Sequence, residues 1–227
     1  MSEARATIFA RLSEALGGQG IEARRRAAQA RIEARAANTI PARGDLPLEE
    51  RIALFTAQAE AVQAVVRRVD GPKAVAATVA ELLRARNLPL QLVVADHPLL
   101  ADVDWPAAML EVRNGRVRES DPVGLTAAVA AVAETGTVML SSSPRTPTLT
   151  AFLPETAIVV VPAARVLRAY EDAIALLREE QGALPRSVNF VTGPSRTGDI
   201  ELTLQLGAHG PKHLFVLLVD GSAAERA

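Results

Sequence analysis

Thr192-Gly193-Pro194-Ser195-Arg196-Thr197-Gly198-Asp199-Ile200-Glu201, followed by Gly207-Ala208-His209-Gly210-Pro211, lies between strand-like apolar runs at residues 187–191 and 213–219. A strand that ends in Gly, Ser, Thr and Arg and then enters a helix, predicted over residues 199–206, is one unit of an α/β fold. Such a junction is also a pocket for an anion. A helix start offers unpaired backbone N–H groups and the positive end of its dipole. Gly193 lets the backbone approach a ligand, and Arg196 adds a planar fork that suits carboxylate or phosphate. Ser195 or Thr197 caps the helix, and Asp199 falls in its first turn, where negative charge is favourable. Arg196 therefore serves an anionic partner, or an ion pair with Glu134 or Asp199.

Working outward, strands are predicted at residues 90–95, 137–140, 157–161, 188–191 and 214–219. Residues 109–113 and 116–119 flank Asn114-Gly115, a short hairpin signal. Helices are predicted over residues 48–69, 73–86, 123–133 and 165–180. Strands alternating with helices argue for an α/β fold with a largely parallel sheet. In such sheets ligands gather at the carboxyl ends of strands, which points to the loops after Leu140, Val161 and Val191. Residues 7–37 read as an Ala-, Arg- and Glu-rich helix broken at Gly17-Gly18, with a thin apolar stripe. Pro41, Gly44 and Pro47 mark a linker. The expected division is a helical arm and linker, 1–47, and an α/β domain, 48–227.

Composition excludes several classes. Of 227 residues, 49% are hydrophobic but only 3% aromatic, so the core is built from Val, Leu, Ile and Ala. A net charge of −1 leaves no electrostatic footprint for nucleic acid. The absence of cysteine excludes disulfides, thiolate metal sites and a cysteine nucleophile, and is compatible with a cytoplasmic protein. No signal peptide is visible, and the longest apolar run, residues 157–164, is too short to span a bilayer. No histidine pair has ligand spacing, so no metal site is expected. Walker A, GxGxxG and GxSxG patterns are absent.

Three constellations carry potential chemistry. In Ala133-Glu134-Thr135-Gly136-Thr137-Val138-Met139-Leu140, Glu134 stands before a turn into a strand. It reads as a general base, a nucleophile or a ligand for a substrate hydroxyl, or as a group bonding nearby backbone N–H. After that strand, Ser141, Ser142, Ser143 and Arg145 form a polar loop. The third is the C-terminal pair of motifs, where His209, next to Gly210, is an acid or base near neutral pH or a structural loop residue.

The two C-terminal motifs, with the segment around Glu134-Thr135-Gly136-Thr137, resemble the LUD domain of the lactate-utilization protein C family. Ile8-Phe9-Ala10-Arg11-Leu12 with Leu16-Gly17 resembles that family's opening helix, and the helix from Leu48 its second element. Gly198 stands where the family usually has alanine, and Ala157 where a histidine is expected. The resemblance implies a Rossmann-like sheet with helices on both faces, similar to the isomerase and coenzyme-A-transferase superfamily. It implies a subunit of a bacterial system that oxidises L-lactate to pyruvate, with the iron–sulfur clusters on partner subunits and no cofactor bound by this chain.

Two functions follow. In the first, this is a cluster-free subunit with a pocket for a small carboxylate. Arg196 meets the carboxylate, Glu134 or His209 meets the hydroxyl, and the backbone of residues 193–197 completes the site. In the second, it is a stand-alone isomerase or coenzyme-A-transferase-like enzyme acting on a sugar phosphate or acyl thioester, with Glu134 as base or nucleophile.

Overall fold

The computed structural model describes residues 3–16, 20–36, 39–101, 103–182, 184–197, 205–206 and 210–221. The chain divides into two units, 1–39 and 40–227. The first holds α1 (Glu3–Ala15) and α2 (Ile21–Ala34), and neither helix buries a residue. Arg24 donates to the Leu16 carbonyl at 2.6 Å, tying the end of α1 to the start of α2. The break predicted at Gly17-Gly18 lies outside the described residues.

The second unit opens with α3 (Leu48–Ala61), β1 (Val65–Val69), α4 (Val75–Ala85), β2 (Gln91–Val94), β3 (Glu111–Asn114) and β4 (Val123–Ala127). It continues through β5 (Ala130–Val132), β6 (Thr137–Ser141), the single turn α5 (Leu149–Phe152), β7 (Thr156–Pro162), β8 (Val166–Leu167) and α6 (Tyr170–Gln181). β9 (Val188–Val191), β10 (Arg196–Thr197), β11 (Gln205–Leu206) and β12 (His213–Val219) complete it. Six strands form a sheet in the order β1-β12-β7-β4-β2-β3, and every pairing in it is parallel. A second sheet, β8-β5-β6-β9, is mixed.

The six-stranded sheet is covered on both faces, as parallel sheets require. On one face α4 packs Val75, Val79 and Leu83 against Leu92, Leu125, Ile158, Phe215 and Leu217. On the other, Ile52, Phe55 and Ala59 of α3 meet Val66, Val159, Val216 and Leu218, together with Val138 and Leu140 of the second sheet. α6 then packs Ala173 and Leu177 on Val132 and Met139. Each fully buried Val, Leu, Ile or Phe contributes about 1.5–3 kcal/mol, so this apolar stack, with hardly an aromatic in it, carries the fold.

Between residues 40 and 191, four elements differ from the sequence reading. The helix predicted over 48–69 ends at Ala61; Gln63 takes a φ of 71°, and the β-branched residues that follow become β1. The stretch 123–133 is not helical but β4 and β5, in which every residue is buried. A Cβ at Gly124 would meet the Thr150 carbonyl at 1.9 Å, so this glycine lets α5 close on the sheet. The Asn114-Gly115 turn exists, with Gly115 at φ 110°, but no hairpin follows. β3 pairs parallel with β2 instead, and the loop beyond is held by Arg113, which donates to the Arg116 carbonyl and to Asp121. In the stretch predicted as helix 165–180, a 3-10 turn and β8 precede α6.

Candidate functional site

The chain leaves β2 toward one face of the sheet and β4 toward the other. Leu100 and Val103, after β2, join the core beside α4. Ala128 and Ala131, after β4, join the core beside α3. Strand order reverses at the same place: β3 lies on one side of β2 and β4 on the other. This is a topological switch point, where the carboxyl ends of adjacent strands open a crevice.

Three adjoining concavities occupy it, and Asp96 lines all of them. One, of about 490 Å³, is walled by Val94, Leu100, Val103 and Trp105, with Asn114 and Gly115 at its edge. The second, of about 190 Å³, is polar, lined by His97, Ser141, Ser143, Arg145, Thr146, Arg165 and Glu180 among others. The third, of about 590 Å³, is bounded by Arg116, Val117, Ser143, Arg145, Pro147 and Leu149.

Charge at the junction is organised by one pair. Arg145 donates from Nε and Nη2 to the two oxygens of Asp96, both at 2.7 Å. The Asp96 N–H also donates to the Arg145 carbonyl at 3.1 Å, so the loops after β2 and β6 are tied twice. The guanidinium holds the Asp96 carboxyl below its ordinary range, and the carboxylate raises Arg145. Beside them, His97 Nδ1 accepts the Leu99 N–H at 3.1 Å. Nε2 is then the nitrogen that carries the proton of the neutral ring. Burial lowers the His97 pKa, and the Arg165 and Arg145 charges push it the same way. Arg165 itself is held by Glu180 and by the Val129 carbonyl. The cleft therefore offers a neutral histidine donor between two guanidinium groups.

The residues singled out in the sequence fall into separate places. Ser141 and Arg145 line the cleft. Of the three loops selected by the carboxyl-end rule, those after Leu140 and Val161 reach it, the latter through Arg165. The loop after Val191 does not, because β9 runs antiparallel to β6 and ends at the opposite end of that strand. There Thr137 Oγ1 lies 2.7 Å from both Thr135 Oγ1 and Thr192 Oγ1, and 2.9 Å from the Tyr170 hydroxyl. Glu134 is buried, accepts from Arg43 Nε at 3.3 Å, and does not line the cleft. Gly136 has φ 65°, and a Cβ there would meet the Ala59 backbone nitrogen at 2.3 Å. Gly193, at φ 75°, closes equally tightly on the Val62 carbonyl, which also accepts from Arg196 at 2.9 Å. The Arg196 fork is thus turned to the C-terminal end of α3, not to Glu134.

Of the helix expected over residues 199–206, only 205–206 are described, and they are strand. Arg196–Thr197 pairs antiparallel with Gln205–Leu206 as a two-stranded ribbon. In the sequence, apolar residues at 200, 202, 204 and 206 alternate with polar ones at 201, 203 and 205, a period of two that does not favour a helix. Asp199 and His209 lie outside the described residues. Ser195 donates its N–H to the Pro211 carbonyl at 2.8 Å, and its Cβ faces Gly210 closely. Ala157 is wholly buried between Gly124 and Leu214 in the sheet.

Asp96, His97, Trp105 and Arg165 were not singled out by the sequence. His97 carried a signal: it follows a short apolar strand directly, at the place where α/β crevices form. Among the described residues no group of three His, Asp or Glu could hold a metal ion, and no helix is long and apolar enough to cross a membrane.

A parallel sheet covered on both faces, opening a polar crevice where its strand order reverses, defines a three-layer α/β protein with a cleft at its topological switch point. The LUD domain model matches residues 52–219, and the chain belongs to that family. It is similar to the Lactate utilization protein C of Geobacillus kaustophilus, 32% identical over 150 residues, covering 57% of this chain and 62% of that one. The protein of the same name from Bacillus subtilis is 32% identical over 130 residues, covering 52% and 54%. This chain thus spans less than two thirds of the length of these curated relatives. In fold it is similar to the crystal structure of a DUF162 family protein from Deinococcus radiodurans, with TM-score 0.56 and 18% identity, covering 77% of this chain and 99% of that one.

Proposed function

We propose that this chain serves lactate utilization as a non-redox subunit that binds a small carboxylate, L-lactate or pyruvate, in the polar lobe of the switch-point cleft. Membership of the LUD family, with relatives named Lactate utilization protein C, carries the reading. The cleft supports it chemically. The Asp96–Arg145 pair is exposed on both sides, so water screens it and little is lost when Arg145 turns to a ligand carboxylate. Arg165 is more enclosed and already donates to Glu180 and Val129, and it adds positive field without moving. His97 Nε2–H donates to the ligand's hydroxyl or keto oxygen. Oxidation of lactate to pyruvate releases two electrons and two protons. With no cysteine in this chain to hold a cluster, the electrons pass to iron–sulfur partner subunits.

The test is a thermal-shift titration of the purified chain with L-lactate and pyruvate, followed by reconstitution with the partner proteins. A bound ligand raises the melting temperature by mass action. Stabilisation by either acid, with lactate oxidation only when partners are present, is the expected result. Turnover by the chain alone on a sugar phosphate or acyl thioester would overturn it in favour of a stand-alone enzyme.

A further inference from the structure

The polar lobe accounts for only part of the crevice. Beside it stand the lobes of about 490 and 590 Å³, each in the range of cavities that enclose cofactor-sized molecules. A three-carbon acid fills neither. The two meet over Asp96 and Gly115, which line both. Gly115, at φ 110°, has open space where a Cβ would stand, so the backbone makes a low sill between them.

The lobes differ in chemistry. The first presents Trp105 together with His97, Leu100 and Val103, with the amide of Asn114 at its rim. Flat apolar walls with one edge of paired donor and acceptor suit a heteroaromatic ring. The second presents Arg116, Arg145 and the Ser143 hydroxyl. Arg145 is shared with Asp96, whereas the Arg116 guanidinium has no ion-pair partner among the described residues. Its backbone is nonetheless fixed: its carbonyl accepts from Arg113 at 3.0 Å, and Asp121 accepts from both Arg113 and the Arg118 N–H. A cation on a braced turn, in one lobe with a second guanidinium that Asp96 holds and a hydroxyl that Thr146 shares, has the donors a phosphate needs once it displaces Asp96 from Arg145.

We infer that the groove astride Gly115 binds a ring-bearing organic phosphate of the mononucleotide class, its ring against Trp105 and its phosphate between Arg116 and Arg145. The inference rests on the switch-point cleft as the ligand site and goes beyond the carboxylate reading, because it uses the two lobes that lactate leaves empty, with Arg145 on the border that both ligands share.

Trp105 is the only tryptophan of the chain, so its emission reports occupancy of the first lobe. The full chain is titrated with adenosine 5′-monophosphate, adenosine and inorganic phosphate, following Trp105 emission and melting temperature. The monophosphate quenches and stabilises, and adenosine does so at least ten-fold more weakly. Arg116→Ala loses about ten-fold in affinity for the monophosphate, as expected for one charge-assisted hydrogen bond, and Asn114→Ala weakens ring binding. Arg116 and Asn114 are exposed, so both variants fold. Equal affinity for adenosine and its phosphate, or an Arg116→Ala chain that binds as tightly as the parent, overturns the phosphate assignment. No response to adenosine 5′-monophosphate, while L-lactate still raises the melting temperature, overturns this inference alone; no response to either overturns the cleft reading as well.

Discussion

The two ends of β6 are built from similar residues and put to opposite uses. At its amino end, Thr135, Thr137, Thr192 and Tyr170 satisfy one another, Glu134 is met by Arg43, and Gly136 and Gly193 press the turns onto α3. At its carboxyl end, roughly 13 Å away by strand rise, Ser141, Ser143 and Arg145 line a cavity with Asp96 and His97, bonded respectively to Gln181, Thr146 and Asp96. Polar groups are bonded at both ends; the difference is that those at the carboxyl end border a cavity and form an exposed ion pair there, Asp96 with Arg145, that can be exchanged for a ligand at small cost. Glu134 to Thr137, with Gly193, therefore build the closed end, and Ser141, Ser143 and Arg145 border the open one with Asp96 and His97.

The comparison breaks most readily at the closed end. Replacing Gly136 by alanine combines a positive φ with a contact at 2.3 Å to the α3 backbone. A loss of about 3–5 kcal/mol is expected in denaturant unfolding. Thr137→Val removes the hub of three hydroxyl contacts. It should cost about 0.5–1.5 kcal/mol, the ordinary net loss of a hydrogen bond, since Thr135 and Tyr170 still bond each other and Thr192 is exposed to water, with ligand-induced shifts unchanged. A variant that loses ligand response without losing stability would instead move the site to this end.

At the open end the effects are smaller and of another kind. The His97 pKa is lowered in the folded protein. Between that value and the ordinary one near 6.5, the unfolded chain binds a proton that the folded chain does not. Stability therefore rises with pH through this window and is lost as pH falls through it. His97→Asn keeps an acceptor for the Leu99 N–H and should flatten the pH dependence of melting temperature just below pH 6.5. An unaltered slope would mean that His97 is not the group responsible.

The sequence made the sheet legible where its strands are long and apolar, as in β7 and β12, which hold the centre. It misled where burial on both faces erases periodicity. Residues 123–133 are an Ala- and Val-rich run, every residue of β4 and β5 is buried, and composition alone cannot separate strand from helix there. Half of the cleft was legible, since Ser141 and Arg145 follow a recognisable strand. The other half was not, because Asp96, His97 and Arg165 converge only through strand order. Arg196 stood out beside a Gly-Pro turn, yet its partner, the Val62 carbonyl, is 134 residues away in sequence.

The most direct measurement sets the two arginines against each other. L-lactate and pyruvate are titrated into the parent chain, Arg145→Ala and Arg196→Ala, with affinity read from ligand-dependent melting. A site at the switch point loses about ten-fold or more in Arg145→Ala, as removal of a charge-assisted contact requires, and keeps its affinity in Arg196→Ala. Loss in Arg196→Ala with Arg145→Ala unaffected would contradict the cleft and place the carboxylate at the C-terminal motif.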